Sequence, residues 1–142
     1  MQYLLVTSGG RAFGLPAEGV GEILGIDELL PAPVVRPAVR GVILVQERLV
    51  PLVHLAALLD DTAPPAGMSP TAVLVSGVGV TVALEVDETA EFVRQEPTPV
   101  PGGWDLPWAA GVARCEGSIV PIVDLDALVE RLRATARAGA SS

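Results

Sequence analysis

The sequence predicts a mostly β domain made of two related small barrels, with short helices and a helix at its C-terminal end. Three observations carry this. Short runs of Val, Leu and Ile alternate with turn formers, 15 glycines and 13 prolines in 142 residues, the pattern of many short strands rather than long helices. Only 4% of the residues are aromatic while half are hydrophobic, so the core is aliphatic. The chain also repeats itself.

At an offset of 70, Gly41 to Leu58 (GVILVQERLVPLVHLAAL) lies over Gly111 to Leu128 (GVARCEGSIVPIVDLDAL) with eight identities in 18 positions. Pro51/Pro121 and Gly41/Gly111 are among them, and Leu49/Ile119 and Leu52/Ile122 keep apolar bulk. An upstream match at offset 69 pairs Leu5-Val6-Thr7 with Leu74-Val75-Ser76 and Phe13-Gly14-Leu15 with Val82-Ala83-Leu84. The repeat gives one domain over 1–142, with halves at about 1–62 and 71–133 and a flexible tail from about 134.

Taken in chain order, each half opens with an apolar strand that turns through glycine, at Gly9-Gly10 or at Gly77 and Gly79, and returns as a second strand. That is a hairpin signature. The proline-bearing stretches Pro31 to Pro37 and Pro97 to Pro107 follow. They are connections or sheet edges, because proline has no N–H to give to a ladder. A third strand starts near Val42 or Val112, breaks at Gln46-Glu47-Arg48 or Cys115-Glu116-Gly117-Ser118, and returns as Leu49 to Val53 or Ile119 to Val123. Each half ends in a helix. Leu125, Leu128, Val129 and Leu132 fall at i, i+3, i+4 and i+7, one helical face. Asp124 and Asp126 stand at its start, and Arg131, Arg133 and Arg137 towards its end, as the helix dipole favours. The first-half helix, Leu55 to Leu59, stops at Asp60-Asp61-Thr62, and Ala63 to Pro70 links the halves.

The formal charge of −8 argues against nucleic acid and anionic membranes as partners, since polyanions are repelled. The one cysteine, Cys115, excludes an intrachain disulfide, and no Cys/His spacing of a zinc site occurs. The first residues lack a basic leader, and no apolar run reaches the length of a spanning helix. A reducing, cytoplasmic setting without membrane insertion is expected.

The residues offer no catalytic constellation, cofactor motif or metal ligands. His54 is the only histidine and lies in register with Asp124, which points to a structural position at a strand-to-helix turn. Cys115 has no base in its motif and reads as an incidental thiol. The glycines lack phosphate-loop spacing. Asp60-Asp61 and the pair Glu85/Asp87 are paired carboxylates, and an enzyme or small-ligand site in an inter-barrel groove would draw on Glu85, Asp87 or His54. Trp104 and Trp108 are interface anchors or a cover for one barrel end.

The order of Phe13-Gly14-Leu15, Val20-Gly21-Glu22-Ile23, Val39-Arg40-Gly41-Val42-Ile43 and Leu49 to Leu55, followed by Val86-Asp87 and Gly111 to Leu128, resembles the CheW-like domain. This is the module of chemotaxis coupling proteins and of the regulatory domain of the CheA kinase. The similarity runs from about Gln2 to Leu132. It implies two interleaved, SH3-like five-stranded barrels around separate cores. It also implies a non-catalytic adaptor joining a chemoreceptor cytoplasmic tip to a histidine kinase regulatory domain, or a divergent scaffold in another sensory or motility pathway.

The implied partner-contact residues are Val20, Glu22, Val86 and Asp87, with Gly41 permitting close approach near the receptor groove. The family commonly carries an Asn-x-Arg-Gly-like turn, where this chain has Leu44-Val45-Gln46-Glu47. Gln46 and Glu47 thus replace a positive, flexible turn by a neutral and acidic one. Arg48 supplies the missing charge only if the turn is longer, and a register shift would move side chains across faces.

Overall fold

The computed structural model describes residues 1–33 and 37–140, the last six as backbone alone. Among these residues ten strands and two α-helices follow in order, with one 3-10 turn (Ala17–Gly19) between the second and third strands: β1 (Gln2–Ser8), β2 (Arg11–Pro16), β3 (Val20–Gly25), β4 (Val39–Val45), β5 (Arg48–His54), α1 (Leu55–Asp60), β6 (Thr71–Gly77), β7 (Val80–Val86), β8 (Glu88–Arg94), β9 (Ala109–Cys115), β10 (Ser118–Val123) and α2 (Leu125–Ala140). Residues 34–36 of the first proline stretch, the side chain of Arg137 and residues 141–142 of the expected tail lie outside the described residues. The tail region from 134 to 140 has helical backbone within α2.

The strands form two five-stranded sheets, β8-β1-β2-β10-β9 and β3-β6-β7-β5-β4. Neither sheet is one repeat. The hairpin β1–β2 of the first half lies with the last three strands of the second, and β6–β7 lies with β3, β4 and β5 of the first. Each sheet joins the halves twice, once in parallel, where Ile122 of β10 aligns with Gly14 of β2 and Leu52 of β5 with Ala83 of β7, and once antiparallel, where β1 pairs with β8 and β3 with β6. Interleaving therefore holds, and the repeat halves are exchanged rather than folded separately.

In both sheets the chain returns to the far edge in the same way. After β3 the chain returns to the edge of β4, where Leu30 and Val42 exchange two backbone hydrogen bonds of 2.8 Å, and after β8 Thr98 and Val112 do the same on β9. Gln95 adds a peptide-like clasp: its side-chain amide donates to the Arg114 carbonyl at 3.0 Å and accepts from the Arg114 N–H at 2.8 Å. This close return explains the duplicated glycine. A Cβ on Gly41 would stand 2.4 Å from the Leu30 carbonyl oxygen, and one on Gly111 2.7 Å from that of Thr98.

Each sheet has its own cluster, as the resemblance implies, and a third, shared one joins them. The largest cluster lies between the sheets, where Leu4, Val6, Phe13 and Leu15 meet Val73, Val75, Val82 and Leu84 under both helices. Smaller clusters fill the sheets themselves, Ile43, Val50, Leu52 and Leu74 in one and Tyr3, Ala113 and Ile122 in the other. The inner strands β1, β2, β6 and β7 are buried on both faces. Their sequences accordingly read as near-continuous apolar runs. Gly14 has no room for a side chain, because its Cβ would stand 2.5 Å from Ile122 and 2.8 Å from the Tyr3 ring.

The two leading hairpins turn differently in one respect. Gly9 (φ 60°) and Gly10 (φ 77°) occupy the first turn, whereas Val78 (φ 43°) precedes Gly79 (φ 76°) in the second. A β-branched residue in the left-handed region is strained. Val78 is also well exposed, so little burial offsets the strain. Val78→Asn is expected to stabilise the fold by about 1 kcal/mol, read as a raised urea midpoint at unchanged slope. An unchanged or lowered midpoint would show that no strain is stored there.

Candidate functional site

The turn residues that singled themselves out in the sequence sit at the tip of the β4–β5 hairpin. Val45 aligns with Arg48 and Leu44 with Leu49, so the turn is the two residues Gln46 (φ 48°) and Glu47 (φ 66°). The longer turn that would bring Arg48 to the tip is not formed. Arg48 belongs to the strand, opposite Val45, which packs towards the inner cluster. In the second repeat the same turn is Glu116 (φ 48°) and Gly117 (φ 81°). Glu47 thus holds, with a side chain, a backbone position that glycine takes in the repeat.

The other implied contact residues are spread over both sheets. Val20 is half-buried against the central cluster, and Glu22 is exposed on β3. Gly41 is buried, and the close approach at that position is made by Leu29 and Leu30 of the chain itself. Val86 is buried in the central core. Asp87 is exposed, but its carboxylate already accepts from the Gly10 N–H at 3.4 Å and from the Ser69 hydroxyl at 3.3 Å.

Exposed apolar residues that the sequence reading passed over lie beside these. Leu44 and Leu49 are a cross-strand pair, 64% and 65% exposed, and Ile23 stands on β3 next to Glu22. Its repeat equivalent is Phe92 on β8: Ile23 aligns with Val73 and Phe92 with Leu4, both in the central core. An apolar residue in the second place out on each side of a two-residue turn is the signal that could have marked Leu44 and Leu49.

The groups that chemistry would need are engaged in holding the fold. His54 is 3% exposed, and its Nδ1 accepts the Ala57 N–H at 3.1 Å, capping α1. Ser8 Oγ takes the neighbouring Ala56 N–H at 3.1 Å. In the second repeat Asp124 Oδ1 accepts from the N–H groups of Asp126 and Ala127 at 3.0 and 3.1 Å. His54 and Asp124 are therefore equivalent helix caps, as their register implied.

Glu85 is 1% exposed. Its Oε1 accepts from Arg40 Nε at 2.7 Å, and its Oε2 from the Ser69 N–H at 2.9 Å. Arg40 also donates to the carbonyls of Pro65 and Gly67 at 2.6 and 2.7 Å. The linker between the repeats is thereby strapped onto a buried ion pair. Cys115 Sγ lies 3.6 Å from the Tyr3 hydroxyl, and burial with this contact pushes the tyrosine up to about 12. Among the described residues no group of three or more His, Cys, Asp or Glu side chains could hold a metal ion, and no helix is long and apolar enough to cross a membrane.

Burial holds the His54 imidazole below its ordinary pKa of 6.5, opposed by Glu85 and Asp87 and reinforced by Arg40. As pH falls, the unfolded chain takes up this proton first. Folding stability is then fully present above about pH 6.5 and declines as pH drops below it. Protonation also removes the acceptor that caps α1. Denaturant melts between about pH 7.5 and 5.5 are expected to show this decline, and His54→Asn, which keeps a cap acceptor, should flatten it. An equally steep slope in the variant would assign the titration elsewhere.

Two exchanged five-stranded sheets related by an internal repeat, with His54 and Asp124 spent on helix caps and the Arg40–Glu85 pair on a strap, define a duplicated, strand-exchanged β domain. The chain belongs to the CheW-like domain family, whose model matches residues 2–133. This is a family of chemotaxis scaffold and adaptor proteins. The fold is similar to that of the scaffolding protein TtCheW from Thermoanaerobacter tengcongensis, with a TM-score of 0.77 at 17% identity over 89% of this chain and 86% of that one. No curated protein matches the sequence.

Proposed function

We propose that the chain is a cytoplasmic, non-catalytic adaptor that couples the cytoplasmic tip of a chemoreceptor to the regulatory domain of a histidine kinase through protein contacts. Membership of the CheW-like family supports the reading. The observation that carries it over a catalytic or ligand-binding use is the state of His54, Glu85 and Asp87. All three side chains are engaged in internal hydrogen bonds, while large apolar side chains on β3, β4, β5 and β8 stand exposed. Exposed apolar groups in place of convergent polar ones suit protein contact. The expected result is binding of the full chain to the kinase regulatory domain and the receptor tip encoded with it, measured by calorimetry. Absence of binding to either would sink the reading.

The turn at Gln46 and Glu47 supports a variant of this role, a scaffold with a shifted partner preference in another sensory or motility pathway. Replacing the two residues by Arg and Gly should then restore affinity for standard chemotaxis partners. No gain would count against the turn as the determinant.

A further inference from the structure

The repeats allow an internal comparison. The hairpins β4–β5 and β9–β10 share a register and a two-residue turn. At equivalent places they present Leu44 with Leu49 and Arg114 with Ile119. Only the first carries an exposed aliphatic pair. Beside that pair a depression of about 310 Å³ opens between β4 and the segment that follows β3, lined by Leu24, Leu30, Ile43 and Leu44 with Asp27 and Glu28. Both carboxylates are exposed, and Glu47 adds a third at the hairpin tip. Arg48, paired with Val45, lies on the hairpin face of Ile43 and Val50 rather than that of Leu44 and Leu49, and it does not line the depression.

A second copy of the chain is a poor occupant. It carries a charge of −8, and self-association through this end would set Asp27, Glu28 and Glu47 against like charges. The complementary occupant is apolar and basic. We propose that this acid-rimmed end of the β4–β5 hairpin is the docking site for a partner segment bearing a large apolar side chain flanked by Lys or Arg. Leu44 supplies the contact and Glu47 the charge selection. The strained backbone at Glu47 holds its carboxylate at the tip, where glycine would present none. The proposal deepens the adaptor reading and rests on it for the need of a partner.

The test uses the full chain, ¹⁵N-labelled, and two model peptides of about 12 residues with the same leucines, one flanked by lysines and one by glutamates. The lysine peptide should shift the amides of residues 27–30 and 43–49. Leu44→Ser and Glu47→Lys, both at exposed positions, should each weaken its binding by about fivefold or more, as should raising salt from about 50 to 500 mM. The glutamate peptide should shift nothing. Equal responses to both peptides, shifts scattered over the acidic surface, no shift from either, or variants that bind like the parent would each overturn the proposal. Calorimetry with the kinase domain and receptor tip reports separately on the adaptor reading, so either can fail while the other stands.

Discussion

Glu85→Ala is expected to destabilise the chain by roughly 3–5 kcal/mol. The substitution leaves the Arg40 guanidinium, itself only 12% exposed, without its carboxylate partner. It also frees the Ser69 N–H from its acceptor. Against a usual domain stability of about 5–15 kcal/mol, much of the folded population is at stake. Replacing Arg40 and Glu85 together by methionine should recover much of the loss, because no charge is then stranded. The strap from Pro65 to Ser69 should stay loosened in that double variant, since its carbonyl and amide partners are gone. Denaturant melts read the first effect and hydrogen exchange at Ser69 the second. A single variant as stable as the parent would remove the ion pair from the account of the fold.

Trp108→Ala should cost about 3–5 kcal/mol, lowering Tm by on the order of 10 °C. Trp104→Ala, four residues away, should stay within about 0.5 kcal/mol. Trp108 is 4% exposed and meets the Phe13 ring at a centroid distance of 5.8 Å within the central cluster, whereas Trp104 is 50% exposed. Equal losses from the two variants would contradict this division.

That pair also marks the limit of legibility. Both tryptophans stand in one Gly- and Pro-rich stretch with no periodicity to tell them apart, and only the arrival of Phe13 from the other half decides which is covered. The hairpins β1–β2, β4–β5, β6–β7 and β9–β10 were legible because apolar runs flank turn residues. β3 and β8 were not read from their residues. Each is exposed over most of its length, so neither shows the alternation that marks a half-buried strand.

Of the site, His54 was placed by its register with Asp124, and the turn at Gln46 and Glu47 by its sequence. Gly41 and Val86 are drawn inside by contacts that no local pattern announces. Leu44 and Leu49 look like ordinary strand residues, and their exposure follows from lying on the face of the β4–β5 hairpin opposite the buried pair Ile43 and Val50. The clasp of Arg40 on Glu85 joins residues 45 apart and carries no local signal.

By itself the sequence determined the duplication, the mostly β class, the hairpins and the two capped helices, because strand and helix periodicities and turn chemistry are local. Only the tertiary structure decided which hairpin joins which sheet. The repeats carry matching side-chain patterns, so either pairing would satisfy them. The choice rests on packing between distant residues, such as Tyr3 and Ile122 filling the space that Gly14 leaves open.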